Sequence, residues 1–563
     1  MTYILGINEL YHDISVVLLK DGKILGVVEE ERLNRIKHTP GLCWGGKEPR
    51  HSLDWCLEKN NLKDEDIEHV AISYDMPPLL SIKTIVDAVL CNYRRMGIRG
   101  TINQRIGSGD PAAKVIYGNI LGYFTKRKKF LKELRSRFGK VVEIKHHLCH
   151  ASSAFRLSGF DKANILIIDG LGEDHSTSLF KGTGNYIEGP FRQYSQYQSL
   201  GMMYKSVTFM LGFGYFGDGK TMGLSAYGNW DDKYGNILNI KDRDYFIKLE
   251  NMRKILRHAR KYNQGELTQE HKNIAKTIQT SLEKAAVQLA TDLHQMTGYR
   301  NLCLAGGVAL NCNMNAALLD LPFVDDLFVQ PGAMDMGTAI GAAMESYAQL
   351  GYFMKDRLEK VSYGLDYTNE QIEAEIKKTS FKYENVDDVT ELGSQLLAKD
   401  EIIGWFQGGM EFGPRALGNR SILANPTKYE TRDKVNNIKK RELWRPLAPS
   451  ILEEDMQFWF KKPYSSPFMT LNLEFKDEVK EKIPAVVHID GTARVQSVNE
   501  KNNLVYYNLI RKFKEKTGIP IILNTSFNEK SEPIVCSPKD ALRTFGCVPL
   551  KHLLIGNFHV VKE

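Results

Sequence analysis

The sequence lacks most features of a secreted, membrane-bound or nucleic-acid-binding protein. Its eight cysteines include no C-x-x-C pair and are scattered over 563 residues, which favours reduced thiols and a cytoplasmic location. No run approaches the roughly 18 apolar residues of a membrane span, and the start has no signal-peptide pattern. The net charge of +7 is small for this length, so we expect no nucleic-acid partner, whereas anionic small molecules remain open.

The composition, 42% hydrophobic and 25% charged, is that of an ordinary globular protein. A chain of this length exceeds what one hydrophobic core usually organises, so two or three domains are expected. The composition becomes polar and free of repeats near residue 360. We therefore predict an N-terminal domain over residues 1–358, a linker over 359–385 and a C-terminal domain over 386–563.

Two stretches of the N-terminal domain follow the same plan of strand, polar loop and strand. The first covers residues 3–31 and carries His12 and Asp13 in its loop, and the second begins about 160 residues later, with Asp169 in its first strand. A repeated unit at this spacing looks like the duplicated actin/sugar-kinase fold, whose halves close around a nucleotide. Two unrelated hairpins are the alternative.

A short helical stretch places His146 and His150 one turn apart on the same face. Imidazoles at this spacing are a recurrent metal-binding pair, and surface or core histidines are the alternative. A metalloprotease would need Glu at the position of His147, so the pattern argues against that class. Asp335 immediately precedes a helix of small residues, where it is either a helix cap or a third, oxygen ligand.

Glycine-rich stretches indicate two ligand-binding loops. Residues 217–228 predict a loop from which Lys220 reaches a ligand, although structural turns would also explain the glycines. Residues 301–313 predict a strand, a turn at Gly306 and Gly307, and a helix, an arrangement whose backbone N–H groups can meet a nucleotide.

The C-terminal domain contains cations set among glycines, prolines and strand ends. This setting favours an anion pocket in which arginines grip phosphate, and a solvated basic surface is the alternative. The strongly basic helix over residues 123–140 is more typical of a solvated face. Helices are also predicted over residues 52–60, 81–99, 268–297 and 388–398.

Together these stretches resemble the NodU/CmcH family of O-carbamoyltransferases nearly from end to end. The most specific match is the run from Met410 to Leu423, MEFGPRALGNRSIL. The other matching stretches are the GIN start with His12-Asp13, Glu29–Arg32, His146-x-x-x-His150-Ala151, Lys220–Leu224 and Ala305–Asn311. Met334 stands where Gly is usual and Ser225 where Ala is usual, and neither departure removes a functional side chain.

The resemblance implies an α/β enzyme with two domains. A duplicated actin/sugar-kinase-like N-terminal domain, similar to the threonylcarbamoyl-adenosine synthase catalytic subunit, would precede an α+β YrdC-like C-terminal domain. The second domain would make carbamoyl-adenylate from carbamoyl phosphate and ATP with Mg(II). The first would then transfer the carbamoyl group to a hydroxyl of a sugar or natural product.

The resemblance also assigns roles to residues. His146, His150 and Asp335 would hold Fe(II), and His12 would be the base or orienting group. Asp169 and Lys220 are assigned to catalysis beside it. The residues expected to bind the nucleotide or carbamoyl phosphate are Gly306, Gly307, Asn311, Arg415, Lys439, Arg445, Arg494, Asn524 and Ser526.

The expected partner is a small hydroxyl acceptor, with no nucleic acid and no membrane, and the oligomeric state stays open, with a homodimer as a candidate. Three other classes of protein are alternatives. A sugar-kinase-like ATPase would leave the histidine pair and the basic C-terminal domain without a role. A tRNA-modifying threonylcarbamoyl transferase should carry a more basic surface. A catalytically idle nucleotide-binding scaffold should form no adenylate.

Overall fold

The structure is a computed structural model that describes residues 1–75, 120–241, 243–354 and 356–562. The helix predicted over residues 81–99 lies outside these ranges. The chain divides into two compact units, of which the first comprises Met1–Glu30 and His38–Leu358. The second comprises Glu31–Lys37 and Glu359–Glu563.

The first unit contains two five-stranded sheets and a separate hairpin. The strands of the first sheet are β1 Tyr3–Asn8, β2 Ser15–Lys20, β3 Lys23–Glu29, β4 Ile67–Ile72 and β5 Val141–Glu143. The second sheet and the hairpin are formed by β6 Lys162–Ile168, β7 His175–Thr183, β8 Tyr186–Ser195, β9 Leu238–Lys241, β10 Asp244–Ile247, β11 Asn301–Ala305 and β12 Asp326–Val329.

The two sheets share one strand order. The first runs β3-β2-β1-β4-β5 and the second runs β8-β7-β6-β11-β12. In each, three strands form an antiparallel meander, and two more continue parallel to the first strand of that meander. The carboxyl ends of the parallel strands therefore meet on one edge of each sheet, where ligand sites of α/β proteins usually form.

The helices that begin in the first unit include one long amphipathic helix and several short ones. Their bounds are α1 Glu30–Asn34, α2 Arg50–Lys59, α3 Ile120–Phe138, α4 His146–Phe155, α5 Leu200–Met210, α6 Asp218–Ser225, α7 Asp232–Gly235, α8 Leu249–Met252, α9 Gln269–Thr297, α10 Cys312–Leu319 and α11 Thr338–Gln349.

Helices α4 and α11 pack unusually closely because a glycine lies at their contact. A Cβ atom added to Gly341 would lie 1.8 Å from the carbonyl oxygen of Cys149. Likewise, a Cβ on Gly6 would lie 2.0 Å from the carbonyl oxygen of Ala339, so β1 also approaches α11 closely. Side chains larger than hydrogen would force these elements apart, together with the residues at their ends.

The second unit is built on one nine-stranded sheet of order β13-β21-β20-β14-β15-β19-β16-β18-β17. Its strands are β13 Lys382–Asn385, β14 Ile403–Phe406, β15 Arg420–Ala424, β16 Ala448–Leu452, β17 Leu471–Glu474, β18 Thr492–Val498, β19 Ile521–Ser526, β20 His552–Ile555 and β21 Phe558–Val561. Its helices are α12 Asn369–Ile376, α13 Val389–Ala398, α14 Tyr429–Ile438, α15 Met456–Trp459, α16 Glu500–Thr517 and α17 Pro538–Cys547.

Both faces of this sheet are covered, because successive strand residues point to opposite sides. Phe406 packs with residues of α12 and α17 in one core, while its neighbour Trp405 packs with residues of α13 and α16 in the other. Residues 359–385 differ from the predicted linker. They form α12 and β13, and β13 pairs with β21 at the sheet edge. Residues 359–385 are polar because α12 is a short helix and β13 an edge strand, and each of them buries only one side.

The mixed α/β class predicted from the sequence is confirmed. The loop predicted over residues 217–228 is wrong for much of its length, because Asp218–Ser225 form α6. Buried Thr221 and Leu224 lie on this helix, which packs against α9, so tertiary packing outweighs the low helix propensity of glycine. None of the helices in the described part of the chain is long and apolar enough to cross a bilayer.

Candidate active site

Four side chains of the first unit form a buried cluster with metal-ligand geometry. They are His146, His150, Asp169 and Asp335, and one ligand atom from each lies within 4.8 Å of the others. The Nε2 atom of His146 lies 3.1 Å from Nε2 of His150 and 3.6 Å from Oδ2 of Asp169. It lies 3.8 Å from Oδ1 of Asp335. Ligands that share one ion at 2.0–2.2 Å are about 3 to 4 Å apart, so the spacing fits a transition metal.

The cluster forms because three of its members follow the carboxyl ends of strands, and His150 lies one helical turn after His146 in α4. His146 begins α4 shortly after β5, Asp169 directly follows β6, and Asp335 lies in the 3₁₀ turn between β12 and α11. The close contact of α4 with α11 then brings the histidines to Asp335. The carboxylate of Asp335 is directed to the cluster, with Oδ1 lying 3.8 Å from Nε2 of His146.

Burial and mutual charge shift the pKa values of the side chains in the cluster. Burial by itself lowers the pKa of His146, but the adjacent carboxylates of Asp169 and Asp335 outweigh it and raise the pKa to about 9. Burial and the charge on His146 lower the pKa of His150. Burial raises the pKa of Asp335. A divalent cation would stabilise this arrangement, because its charge would balance the two buried carboxylates of Asp169 and Asp335.

Tyr74, which sequence reasoning missed, completes the wall of the cluster. Its hydroxyl donates to Oδ2 of Asp335 at 3.0 Å, and its ring stacks on His146 with centroids 4.2 Å apart. Glu173 accepts the backbone N–H of His146 at 2.6 Å and so holds the start of α4. Tyr74 follows the end of β4, and that position was the available signal for it.

His12 lies in the β1–β2 loop and is held by Asp13. Its Nδ1 is 2.7 Å from Oδ2 of Asp13, whose other oxygen is 2.8 Å from Nδ1 of His38. Burial lowers the pKa of His12, yet the charge of Asp335 and the bond with Asp13 outweigh it and leave the pKa raised. When Nδ1 donates to Asp13, Nε2 is the ring nitrogen available to take a proton.

The other residues predicted for the first unit are held by neighbouring protein groups. The ammonium of Lys220 donates to Asn263 at 3.1 Å. The N–H of Gly307 donates to Oδ1 of Asp169 at 2.9 Å, and Gly306 supports this approach with a φ of +90°. Asn311 exchanges hydrogen bonds with Gln279 and accepts the N–H of Met314 as the N-cap of α10.

The second unit brings buried Lys439 together with three half-buried arginines, Arg441, Arg445 and Arg494. Burial, followed by the charges of Arg441, Lys37 and Arg445, lowers the pKa of Lys439 well below its usual value. Burial and the charges of Arg445 and Arg494 likewise lower the pKa of Arg441. The enclosed Nη2 of Arg441 has no hydrogen-bond partner in the residues that the structure describes. Mutual repulsion of this kind is relieved by a bound anion.

Within the described residues, neutral oxygens orient the ammonium of Lys439. Its ammonium donates to the carbonyl oxygen and hydroxyl of Ser526, and to the carbonyl oxygen and Oδ1 of Asn528, the latter at 2.9 Å. Asn524 is engaged by neighbouring protein groups. Its NH₂ group donates to Ala416, Ser450 and Gln496, and its enclosed Oδ1 has no partner among the described residues. Arg415 is half-buried in the loop before β15.

Comparison with known proteins decides the family. The family model described as Carbamoyltransferase N-terminus matches residues 3–344, and the model described as Carbamoyltransferase C-terminus matches residues 394–562. The chain belongs to the carbamoyltransferase family. It is therefore an enzyme that transfers a carbamoyl group, as the resemblance in its sequence implied.

This carbamoyltransferase is similar to two nodulation proteins over most of its length. NolNO of Sinorhizobium fredii is 37% identical over 570 residues, covering 99% of this chain and 80% of that protein. NolO of Bradyrhizobium diazoefficiens is 39% identical over 434 residues, covering 75% of this chain and 79% of that protein. Likeness to solved structures is distant: T. kodakarensis HypF has a TM-score of 0.40 at 12% identity, covering 63% of this chain and 48% of that one.

The site of this carbamoyltransferase includes residues that sequence reasoning did not select. Arg441 and Asn528 join Lys439 and Ser526, and each lies two residues from a residue that was selected. Nearness in the sequence was the available signal, since Lys439 caps the end of α14 and Asn528 follows β19. Asp169 was expected to act in catalysis, and the structure instead groups it with the histidines and Asp335.

Proposed function

We propose that this enzyme is an ATP-dependent O-carbamoyltransferase that works in two steps at two sites. The second unit makes carbamoyl-adenylate from carbamoyl phosphate and Mg-ATP, and the first unit transfers the carbamoyl group to a hydroxyl of a sugar or other natural product. In this proposal the first unit is a duplicated actin-like domain, which the shared strand order of its two sheets supports. The second unit is YrdC-like. The observation that supports it is that each unit has a cluster of a different kind. The cation cluster of the second unit consists of Lys439, Arg441, Arg445 and Arg494, and the cluster of the first unit consists of His146, His150, Asp169 and Asp335.

The cation cluster suits the first step. Hydrolysis of carbamoyl phosphate yields carbamate and inorganic phosphate. A carbamate oxygen then attacks the α-phosphorus of ATP, and pyrophosphate leaves. Lys439, Arg441, Arg445 and Arg494 would supply the positive field that negative phosphate oxygens need. The hydrogen bonds of the Lys439 ammonium within the described residues go to neutral oxygens, so an anionic ligand would stabilise its charged form.

The histidine and aspartate cluster suits the second step. The acceptor oxygen attacks the carbamoyl carbon, its proton passes to Nε2 of His12, and AMP leaves. Asp13 holds the ring of His12 and stabilises the charge that develops on it. His146, His150, Asp169 and Asp335 would hold Fe(II), which when bound would supply positive charge to polarise the carbamoyl carbonyl.

Pyrophosphate release tests this proposal directly. The purified protein, with Mg(II) and ATP, should release pyrophosphate only when carbamoyl phosphate is added, with AMP appearing as the carbamoyl group reaches an acceptor. A kinase would form ADP from ATP and an acceptor without carbamoyl phosphate, and an idle scaffold would do neither. Pyrophosphate release that is independent of carbamoyl phosphate, or absent, would refute the two-step function.

A further inference from the structure

One cation of the basic helix α3 is buried, unlike its neighbours on that helix. Across residues 126–137 the other basic side chains are exposed or half-buried, whereas Arg127 is 6% exposed. Its Nε donates to Oε1 of Glu9 at 3.0 Å, and its Nη2 donates to the carbonyl oxygen of Tyr74 at 2.8 Å. Nη2 also lies 3.0 Å from Oε2 of Glu143. A planar guanidinium with three such partners fixes them relative to one another.

The three partners of Arg127 belong to the parallel strands of the first sheet. Glu9 directly follows β1, Tyr74 follows β4, and Glu143 is the last residue of β5. Strands β1 and β5 pair with β4 on its two sides. Arg127 therefore ties together the carboxyl ends of all three strands, at the sheet edge where α4 begins.

The side chain of Tyr74 is held as firmly as its backbone. The residue is fully buried, and its ring stacks on His146 with centroids 4.2 Å apart and planes inclined by 15°. The ring of Tyr11 meets it edge-on at 5.5 Å. With the ring packed in this way, the hydroxyl is directed to Oδ2 of Asp335, to which it donates at 3.0 Å.

This hydrogen bond makes the two oxygens of Asp335 unequal. Oδ2 accepts from Tyr74, while Oδ1 faces the other ligand atoms, 3.8 Å from Nε2 of His146. A carboxylate can bind an ion through one oxygen or both, and a donor on one of them favours binding through the other. An ion bound by Nε2 lies in the plane of the imidazole, whereas the phenol ring is stacked above that plane. The hydroxyl therefore acts through Asp335 rather than on the ion.

We propose that Tyr74 is a positioning residue of the metal site, whose hydroxyl holds Oδ2 of Asp335 so that Oδ1 alone binds the ion. Arg127 holds Tyr74 in that place. The inference rests on the proposed Fe(II) site and adds the groups that set how one ligand binds. Hydrogen-bonded partners of metal ligands typically change metal affinity by about 10- to 100-fold when they are removed.

The test measures Fe(II) affinity by chelator competition and the visible absorption of the Co(II) form, both on the full chain under anaerobic conditions. The absorption of Co(II) weakens as its coordination number rises, so it reports how Asp335 binds. Tyr74→Phe keeps the ring and removes the hydroxyl, which frees Oδ2 to bind the ion as well. We expect about tenfold weaker binding of Fe(II) and a weaker absorption of Co(II).

Tyr194→Phe is the matched control, because Tyr194 is also a buried tyrosine of the first unit whose hydroxyl donates to a carboxylate, Oδ1 of Asp244 at 2.7 Å. Both residues lie outside the cluster, so the control should change neither quantity. Arg127→Lys tests the support of Tyr74, because an ammonium lacks the planar fork of the guanidinium. It should shift both quantities in the same direction as Tyr74→Phe, and unchanged values would contradict the role of Arg127.

Four results would overturn the reasoning in distinguishable ways. Unchanged Fe(II) affinity and Co(II) absorption in a folded Tyr74→Phe protein would refute the proposal. Weaker affinity with unchanged absorption would also refute it, because a purely structural role predicts that result. A strong visible charge-transfer band of the oxidised native iron protein would show that the phenolate of Tyr74 itself binds iron if Tyr74→Phe lacks the band. Native protein that holds neither Fe(II) nor Co(II) would instead refute the metal site of the proposed function.

Discussion

Replacing Asp169 by Asn should weaken binding of the proposed Fe(II) while leaving the surrounding structure in place. Oδ1 of Asp169 accepts the N–H of Gly307, and Oδ2 faces His146. An Asn side chain can keep the first contact with its amide oxygen. Its NH₂ group then replaces the ligand oxygen, and an amide nitrogen of this kind does not coordinate the ion. The substitution thus separates the structural role of the side chain from ligation.

The expected loss of metal affinity follows from the number of ligands. Loss of a group that only supports a metal ligand typically costs 10- to 100-fold in metal affinity. Loss of one ligand among four should cost at least the upper end of that range, about 100-fold or ~2.7 kcal/mol. The variant also leaves one carboxylate in place of two to balance a divalent cation, which acts in the same direction.

The assay is competition with a chelator of known affinity after anaerobic loading with Fe(II), followed by elemental analysis. Asp161→Asn serves as the control, because Asp161 is exposed at the start of β6 and lies outside the cluster. We expect acceptor carbamoylation by Asp169→Asn to fall in parallel with bound iron. Pyrophosphate release should remain. A folded Asp169→Asn protein that holds iron as tightly as the native protein would refute the four-ligand arrangement.

Three further predictions address the remaining groups. Lys439→Ala should abolish carbamoyl-adenylate synthesis, since one charge-assisted contact in an enclosed site contributes roughly 2 to 4 kcal/mol. The variant should still carbamoylate the acceptor when carbamoyl-adenylate is supplied. Loss of both activities in a folded protein would contradict two separate sites. His12→Asn should retain adenylate synthesis and slow transfer about a hundredfold, and an unchanged transfer rate in single-turnover assays would leave His12 structural. Gly341→Ala should lower both the free energy of unfolding, by about 1 to 3 kcal/mol, and the amount of bound iron, because its Cβ would lie 1.8 Å from the carbonyl oxygen of Cys149. The control Gly219→Ala has open space around the added Cβ and should change neither quantity. Denaturation and metal analysis measure the two effects.

Much of the first unit could be predicted from local sequence pattern. The alternation of residues 3–31 and the polar turns within it predict the meander of β1, β2 and β3, because strand periodicity and turn chemistry are local properties. The one-turn spacing of His146 and His150 places both side chains on one face of α4 for the same reason. The family was readable from the long run that begins at Met410, since so many specific residues rarely coincide.

Only the tertiary structure decided which distant residues share a site. Asp169 and Asp335 are separated by more than 160 positions, and they meet because β6 and β12 end at the same sheet edge and Gly341 lets α11 approach α4. The helix α6 replaced a predicted loop because burial of Thr221 and Leu224 outweighed the glycines. Glu411 lies within the most recognisable motif of the chain, yet only the fold brings the backbone N–H groups of Leu417, Asn419 and Arg420 onto its Oε1. Sequence pattern determines local geometry, whereas convergence depends on how the elements pack.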